Sequence, residues 1–326
     1  MFFHPDPVSV AFETMGTKAA LTLGGRESDQ LTAASARVKE LMQSLNQELS
    51  DYLPDSVVSH LNAFAGIQPI EVPEHTRRLL ELSQHYSDLT GGAFDVTVGP
   101  VVRLWRSARA NRLSIPSEQT IKECLALVDY RRVEIKGRSA FLTKRGMRVD
   151  FGAIGKGYAV DRAWEECRAL GITSFMFDLG GNIRVSGEAK PGMPWSIGIR
   201  DPFETESNLG KIEIPDGWAV ATSGQYERFV EIEGRRYGHI IDPRTGFPAS
   251  GLAGVTVLAP DATTTDALST GLFILGPAES IPVIRKAQVE AVFIPDKQPT
   301  ELWVTPGIQP RLTLFRDAKV RILPGW

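Results

Sequence analysis

The sequence predicts an α/β chain of the α+β type: a single domain, residues 1–326, around a mixed and largely antiparallel sheet. Three observations carry that expectation. Helical periodicities and short strand patterns alternate from end to end with no Gly- or Ser-rich linker between them. No fixed-period repeat is present. Strand pairs such as "SFMFDLGGNIRVSG" fold about a tight Gly180-Gly181-Asn182 turn, the connection that an antiparallel pair uses. The pattern leaves strand order open.

Taken in order, an apolar strand ends near Leu23. Leu31, Ala34, Val38, Leu41, Leu45 and Leu49 then recur every three or four residues, tracing one face of a helix with Ser28 placed to cap it. In "DYLPDSVVSHLN", Pro54 can open a short helix and Asp55 or Ser56 can cap it. A helix across "EHTRRLLELSQHYSDL" closes at Gly91-Gly92, which supply left-handed backbone. Past "RLSIPSEQTIKECLALV" the pattern turns to strands, "RRVEIKG" and "AFLTKRGMRVDFG", the second running into "VDFGAIGKGYAVD". A helix from about Lys156 to Leu170 has Ala159, Val160, Ala163, Trp164, Cys167 and Leu170 as its buried stripe and stops at Gly171. Strands follow at "WSIGIR", "GWAVATSG", "RFVEIEG" and "YGHIIDP", then a helix at "TTTDALSTGLFILG". Strands resume at "EAVFIP" and near the C-terminus.

Composition narrows the function classes. A formal net charge of -3 gives no electrostatic reason to expect a nucleic-acid partner. No run approaches the roughly 18 consecutive apolar residues of a membrane span, so no transmembrane segment is expected. Cys124 and Cys167 stand apart without a partner motif and read as reduced, structural thiols.

Four stretches carry chemistry-bearing residues. In "VDFGAIGKGYAVD", Gly152, Gly155 and Gly157 permit close backbone approach, Lys156 adds a point charge, and a helix N-terminus favours an anion. The spacing is neither GxxxxGK[ST] nor GxGxxG, and glycines before a helix also serve packing; Asp150 and Asp161 read equally as caps or surface charges. In "DATTTDALSTGLFILG", Asp266 and Thr270 lie one helical turn apart, two hard oxygens suited to Mg²⁺ or Ca²⁺. The plain alternative is a threonine bonded back along its helix and an aspartate serving the dipole. His239 precedes the "DPRTG" turn at a strand end and can act near pH 7 if it faces a cleft. Ala93, Phe94 and Asp95 follow two glycines, so their backbone can lie against a planar ligand, as can any core segment leaving a helix.

Singly, none of these decides a function. Together and in this order the chain resembles the ApbE family, the FAD:protein FMN transferases. The resemblance runs through "FETMGTKAALTL", "LSDYLPDSVVSHLN", "TGGAFDVTVGPVVRLW", "RVDFGAIGKGYAVD", "DLGGNIRVSG", "AVATSGQYERF", "HIIDPRTGFPA" and "DALSTGLFILG", about the first 275 residues.

The resemblance implies an ApbE-like, T-fold-related architecture and a reaction. FAD is the substrate, Mg²⁺ the cofactor, and the FMN half moves onto a Thr or Ser hydroxyl of a target flavoprotein carrying Asp-x-x-(Ser/Thr)-(Gly/Ser)-Ala-(Ser/Thr). A phosphoester forms and AMP leaves. Carried over by position, flavin contacts fall on Met15, Tyr52, Ala93, Phe94, Asp95, Asp150, Lys156 and Ile240. Metal ligation falls on the Ala153 carbonyl, the Asp266 carboxylate and the Thr270 hydroxyl, with catalysis by Asp266, Lys156 and, as proton acceptor, His239. Asp51 departs from the family, where a small hydroxyl residue often precedes the tyrosine. Two other outcomes fit the same residues: an FAD pyrophosphatase giving FMN and AMP, and a non-catalytic FAD-binding protein. Typical relatives are exported lipoproteins; without a visible signal peptide or lipobox, this chain is expected in the cytoplasm as written, and in the periplasm, membrane-anchored, if a leader was removed.

Overall fold

A computed structural model describes residues 7–24, 28–111, 115–204, 206–225, 229–232, 235–298, 300–315 and 318–326. Within them nine strands form the main sheet: β1 (Val8–Thr14), β2 (Thr17–Leu23), β3 (Phe175–Leu179), β4 (Asn182–Ser186), β5 (Ala219–Gly224), β6 (Leu252–Ala259), β7 (Glu290–Pro295), β8 (Glu301–Val304) and β9 (Lys319–Ile322). Each lies beside the next in chain order, antiparallel throughout except for the parallel β8–β9 pair. Tight hairpins join β1 to β2 and β3 to β4, whereas β2 and β3 are separated by the helices between Ser28 and Ala169, and β6 and β7 by the helix Ala262–Ala287. Gly180 and Gly181, at φ 60° and 87°, make the β3–β4 turn. The β1–β2 turn is Met15-Gly16, with Met15 itself at φ 49°.

The sheet is covered on both faces, which is why every residue of β6 is buried. Val255, Val257, Ala291 and Phe293 face the helices, while Leu258, Val292 and Ile294 face a second core with Trp195, Ile199 and Ile212. A three-stranded sheet (Ser196–Arg200, Asn208–Glu213, Leu312–Leu314) supplies that second layer.

The helices are α1 (Ser28–Leu49), α2 (Val57–Ala63), α3 (Glu74–Leu89), α4 (Gly99–Asn111), α5 (Glu118–Leu125), α6 (Gly155–Ala169) and α7 (Ala262–Ala287). Helices α1, α6 and α7 pack side by side over the main sheet. Ser56, not Asp55, caps α2 by accepting from Ser59 N at 3.0 Å, whereas the Ser28 side chain lies outside the described residues. Helix α3 matches the expected stretch and ends before Gly91 and Gly92, both at positive φ.

Several expectations need correction. The strand after Ser139 stops at Leu142 and does not run into the glycine loop. Val149 is instead gripped by Asn62 of α2, whose amide mimics a strand partner with bonds of 2.6 and 3.0 Å. Leu170 is 41% exposed: it ends α6 and leaves the stripe, and Trp164 is only half-buried. Helices α4 and α5 were not expected at all; Gly99-Pro100 followed by valines reads locally as a turn and strand. Helix α7 continues past Gly276, which breaks it at φ 74° and ψ 174° ahead of Pro277. It alone among the described residues has the length and apolarity of a membrane span. Here that apolarity serves burial, with Leu268, Leu272, Phe273 and Ile284 in the helix-side core.

Candidate functional site

The site grows from the junction of α6 and α7. Asp261 caps α7 by accepting from Thr264 N at 2.7 Å. Asp161, projecting from α6, takes the next orphan donors: Ala262 N at 2.7 Å, Thr263 N at 2.8 Å and Thr263 Oγ1 at 2.5 Å. Arg184 of β4 pairs with the same carboxylate at 2.8 Å and stacks over Trp164. Burial pushes the Asp161 carboxyl above the usual range, and Arg184 pulls it back. Asp161 is therefore neither a surface charge nor a ligand; it fixes where α7 starts.

That placement brings α6 and α7 into backbone contact. A Cβ on Gly157 would lie 2.1 Å from the Ala262 carbonyl oxygen and 2.6 Å from Asp266 Cβ. In the space so gained, Gly157 N donates to Asp266 Oδ2 at 2.8 Å across 109 residues of sequence. Lys156 Nζ stands 3.5 Å from Asp266 Oδ1 and donates to Gly152 O at 3.1 Å. Asp266 is buried, so its charge is met by a helix N-terminus and one ammonium. One turn on, Thr270 Oγ1 is 3.2 Å from Ser223 Oγ at the end of β5, which also meets Ser269 Oγ at 2.9 Å. Ala153 lies in the loop leading into α6.

The donors assigned to a metal here are all oxygens: one carboxylate, one hydroxyl, one carbonyl. That is the chemistry Mg²⁺ accepts when substrate phosphates complete its shell. Among the described residues no three His, Cys, Asp or Glu side chains cluster for a metal. The residues fit a hard cation.

Beside the loop lies a second assembly. Asp150, buried, accepts from Gly152 N at 2.8 Å and from Arg106 at 2.8 Å. Arg106, on α4, also reaches Asp51 at 2.7 Å, and its guanidinium carbon sits 4.3 Å from the centre of the Tyr52 ring. Burial, reinforced by Asp51, raises the Asp150 carboxyl, while Arg106 lowers it. Tyr52 is 71% exposed, presenting an aromatic face to solvent.

The remaining predicted contacts are spread around these two groups. Ala93 and Phe94 are buried, and the Phe94 ring meets Tyr86 edge-on, so neither side chain is open to a ligand. Asp95 spends its carboxylate on Thr97 N, Thr97 Oγ1 and Tyr130 N, which shapes the loop. This loop packs on α7, since a Cβ on Gly271 would meet Thr90 at 2.9 Å. Met15 occupies the β1–β2 turn, half-buried against the core. Ile240 is buried and His239 half-buried, just after the Arg235–Gly238 strand. The following turn is pinned by α4: Trp105 Nε1 donates to Gly246 O at 2.8 Å.

Lys156 and Asp266 thus meet directly, while no direct bond joins Met15 or Ile240 to them among the described residues. Three contributors carried no sequence signal of their own: Arg106, Trp105 and Ser223. Of the two readings open for Asp161, cap or surface charge, the structure shows the cap, given to α7 and not to its own helix. The charge at Asp51 was the one visible pointer, because a carboxylate there calls for a cation. Residues 226–228 of "AVATSGQYERF" and 112–114 of "RLSIPSEQT" lie outside the described residues.

The ApbE family model matches residues 15–293. The FAD:protein FMN transferase of Treponema pallidum is 36% identical over 291 residues, covering 84% of this chain and 80% of its own. That of Escherichia coli K12 is 30% identical, covering 90% and 86%. The solved flavin transferase ApbE from Vibrio cholerae superposes with a TM-score of 0.83 at 30% identity, over 94% of this chain and 99% of that one. The ApbE protein of Thermotoga maritima gives 0.85 at 30% identity, with the same coverage.

Proposed function

The chain belongs to the ApbE family, and from that premise we propose that it is an enzyme, a flavin transferase acting as an FAD:protein FMN transferase. FAD is the substrate and a Thr or Ser hydroxyl of a target flavoprotein the acceptor, within Asp-x-x-(Ser/Thr)-(Gly/Ser)-Ala-(Ser/Thr). The observation that carries this reading is the meeting of Lys156 and Asp266 across the Gly157 contact, at a helix N-terminus. Such a place suits a diphosphate.

The reaction asks little covalent work of the protein. The acceptor oxygen bonds to the FMN phosphorus, the P–O bond to AMP breaks, and AMP leaves. Ala153 O, Asp266 and Thr270 would hold Mg²⁺, which when bound neutralises diphosphate charge. Lys156 supplies a second positive charge for the departing phosphate. His239 accepts the hydroxyl proton. Tyr52, with the 93–95 backbone, Met15, Asp150 and Ile240, receives the rings of the dinucleotide.

The test is the intact mass of an acceptor carrying the motif after incubation with protein, FAD and Mg²⁺. The expected result is a gain of one FMN, abolished by chelation. Free FMN and AMP released at full turnover without acceptor would make the enzyme a pyrophosphatase. FAD bound but never cleaved would make it a binding protein.

A further inference from the structure

Arg106 does three things with one planar group. One terminal nitrogen meets Asp51 at 2.7 Å, the other meets Asp150 at 2.8 Å, and its flat face lies 4.3 Å from the centre of the Tyr52 ring. Only a guanidinium combines an edge that forks between two carboxylates with a face that stacks on an aromatic ring. The three partners come from two places, the segment after α1 (Asp51 and Tyr52) and the loop before α6 (Asp150), and α4 brings Arg106 between them. Asp150 is additionally fixed by Gly152 N. The guanidinium is therefore pinned at both ends, and Tyr52, whose ring stacks on it, is 71% exposed.

An exposed tyrosine held by nothing samples several rotamers, and a ligand must immobilise it at an entropic cost. Stacked on a pinned cation, it is already oriented. We infer that Arg106, anchored by Asp51 and Asp150, is a positioning residue that pre-orients the Tyr52 ring to stack on a planar heteroaromatic ring of the dinucleotide substrate. The inference rests on the reading that FAD is the substrate. FAD carries two such rings, adenine and isoalloxazine, and both would meet the same flat face.

The experiment is a double-mutant cycle on the full chain with Tyr52→Ala and Arg106→Lys, reading the Kd for FAD, the Kd for FMN and ADP separately, and kcat and KM for transfer. Arg106→Lys keeps a positive charge for Asp51 and Asp150 but loses the flat face. Expected is a rise in FAD Kd and KM of about fivefold, no more than loss of the ring itself costs, with kcat within about twofold of the parent. In the Tyr52→Ala background the same change should cost about twofold or less, because there is no ring left to orient. A loss confined to ADP assigns the ring to adenine, and one confined to FMN assigns it to isoalloxazine; either supports the inference. Unchanged affinity for all three ligands in Arg106→Lys would overturn it, as would losses that simply add in the double variant. Binding without transfer by the parent protein would sink the proposed reaction alone and leave this cycle to be judged on Kd. A parent that failed to bind FAD would overturn both.

Discussion

At the α6–α7 junction each polar group meets its partner through a contact with no room for a methyl. At the Tyr52 platform one long side chain, Arg106, does the holding between the buried Asp150 and the partly buried Asp51. In the first region structure and chemistry share atoms: Asp266 Oδ2 accepts from Gly157 N, while Oδ1 faces Lys156. In the second, the residue whose ring would touch ligand is 71% exposed. Where a functional carboxylate is also a packing element, removing it confounds folding with activity. Where the functional group is an exposed face, only binding should change.

Breaking the junction should give the largest effects. Asp161→Ala leaves Arg184 without its buried partner and the start of α7 without its acceptor; denaturant titration should show a loss of about 3–5 kcal/mol. If stability hardly moved, α7 would be held by its apolar face alone. Gly157→Ala forces a methyl against the Ala262 carbonyl, which is backbone and cannot swing away. It should cost about 3 kcal/mol, together with most of the turnover. Asp266→Asn separates the two duties. The amide oxygen still accepts from Gly157 N, so the melting temperature should stay within a few degrees, while loss of the charge should cut transfer by about 100-fold. A variant that unfolded instead would show that the charge holds the helices together. The smallest effect belongs to the platform: Tyr52→Ala should weaken FAD binding by about 1 kcal/mol, roughly fivefold, with no change in unfolding.

The two regions also differ in how far they could be read beforehand. Asp266, Thr270 and the glycine loop were visible because helical spacing and glycine-before-helix patterns are local. Which face Asp266 would meet was not, since the Gly157 contact exists only once both helices lie on the sheet. Helix α4 was missed because Gly99-Pro100 and the valines after it imitate a turn and strand, and with α4 went Trp105 and Arg106. The extended segment at Met147–Val149 was expected as strand, yet its hydrogen-bond partner is the side chain of Asn62, which no strand pattern encodes. Strand β6 was not anticipated, and the layer that buries its second face comes from segments on either side of it in sequence.

The central claim is that the α6 loop and α7 share one divalent cation facing the diphosphate of FAD. Anomalous diffraction from crystals soaked with FAD and Mn²⁺ in place of Mg²⁺ tests it most directly. The account predicts a single strong peak in this region, about 2.1–2.2 Å from Ala153 O, an Asp266 carboxylate oxygen and Thr270 Oγ1. A peak seated elsewhere on bound FAD, with Asp266 still bonded only to Gly157 and Lys156, would contradict it.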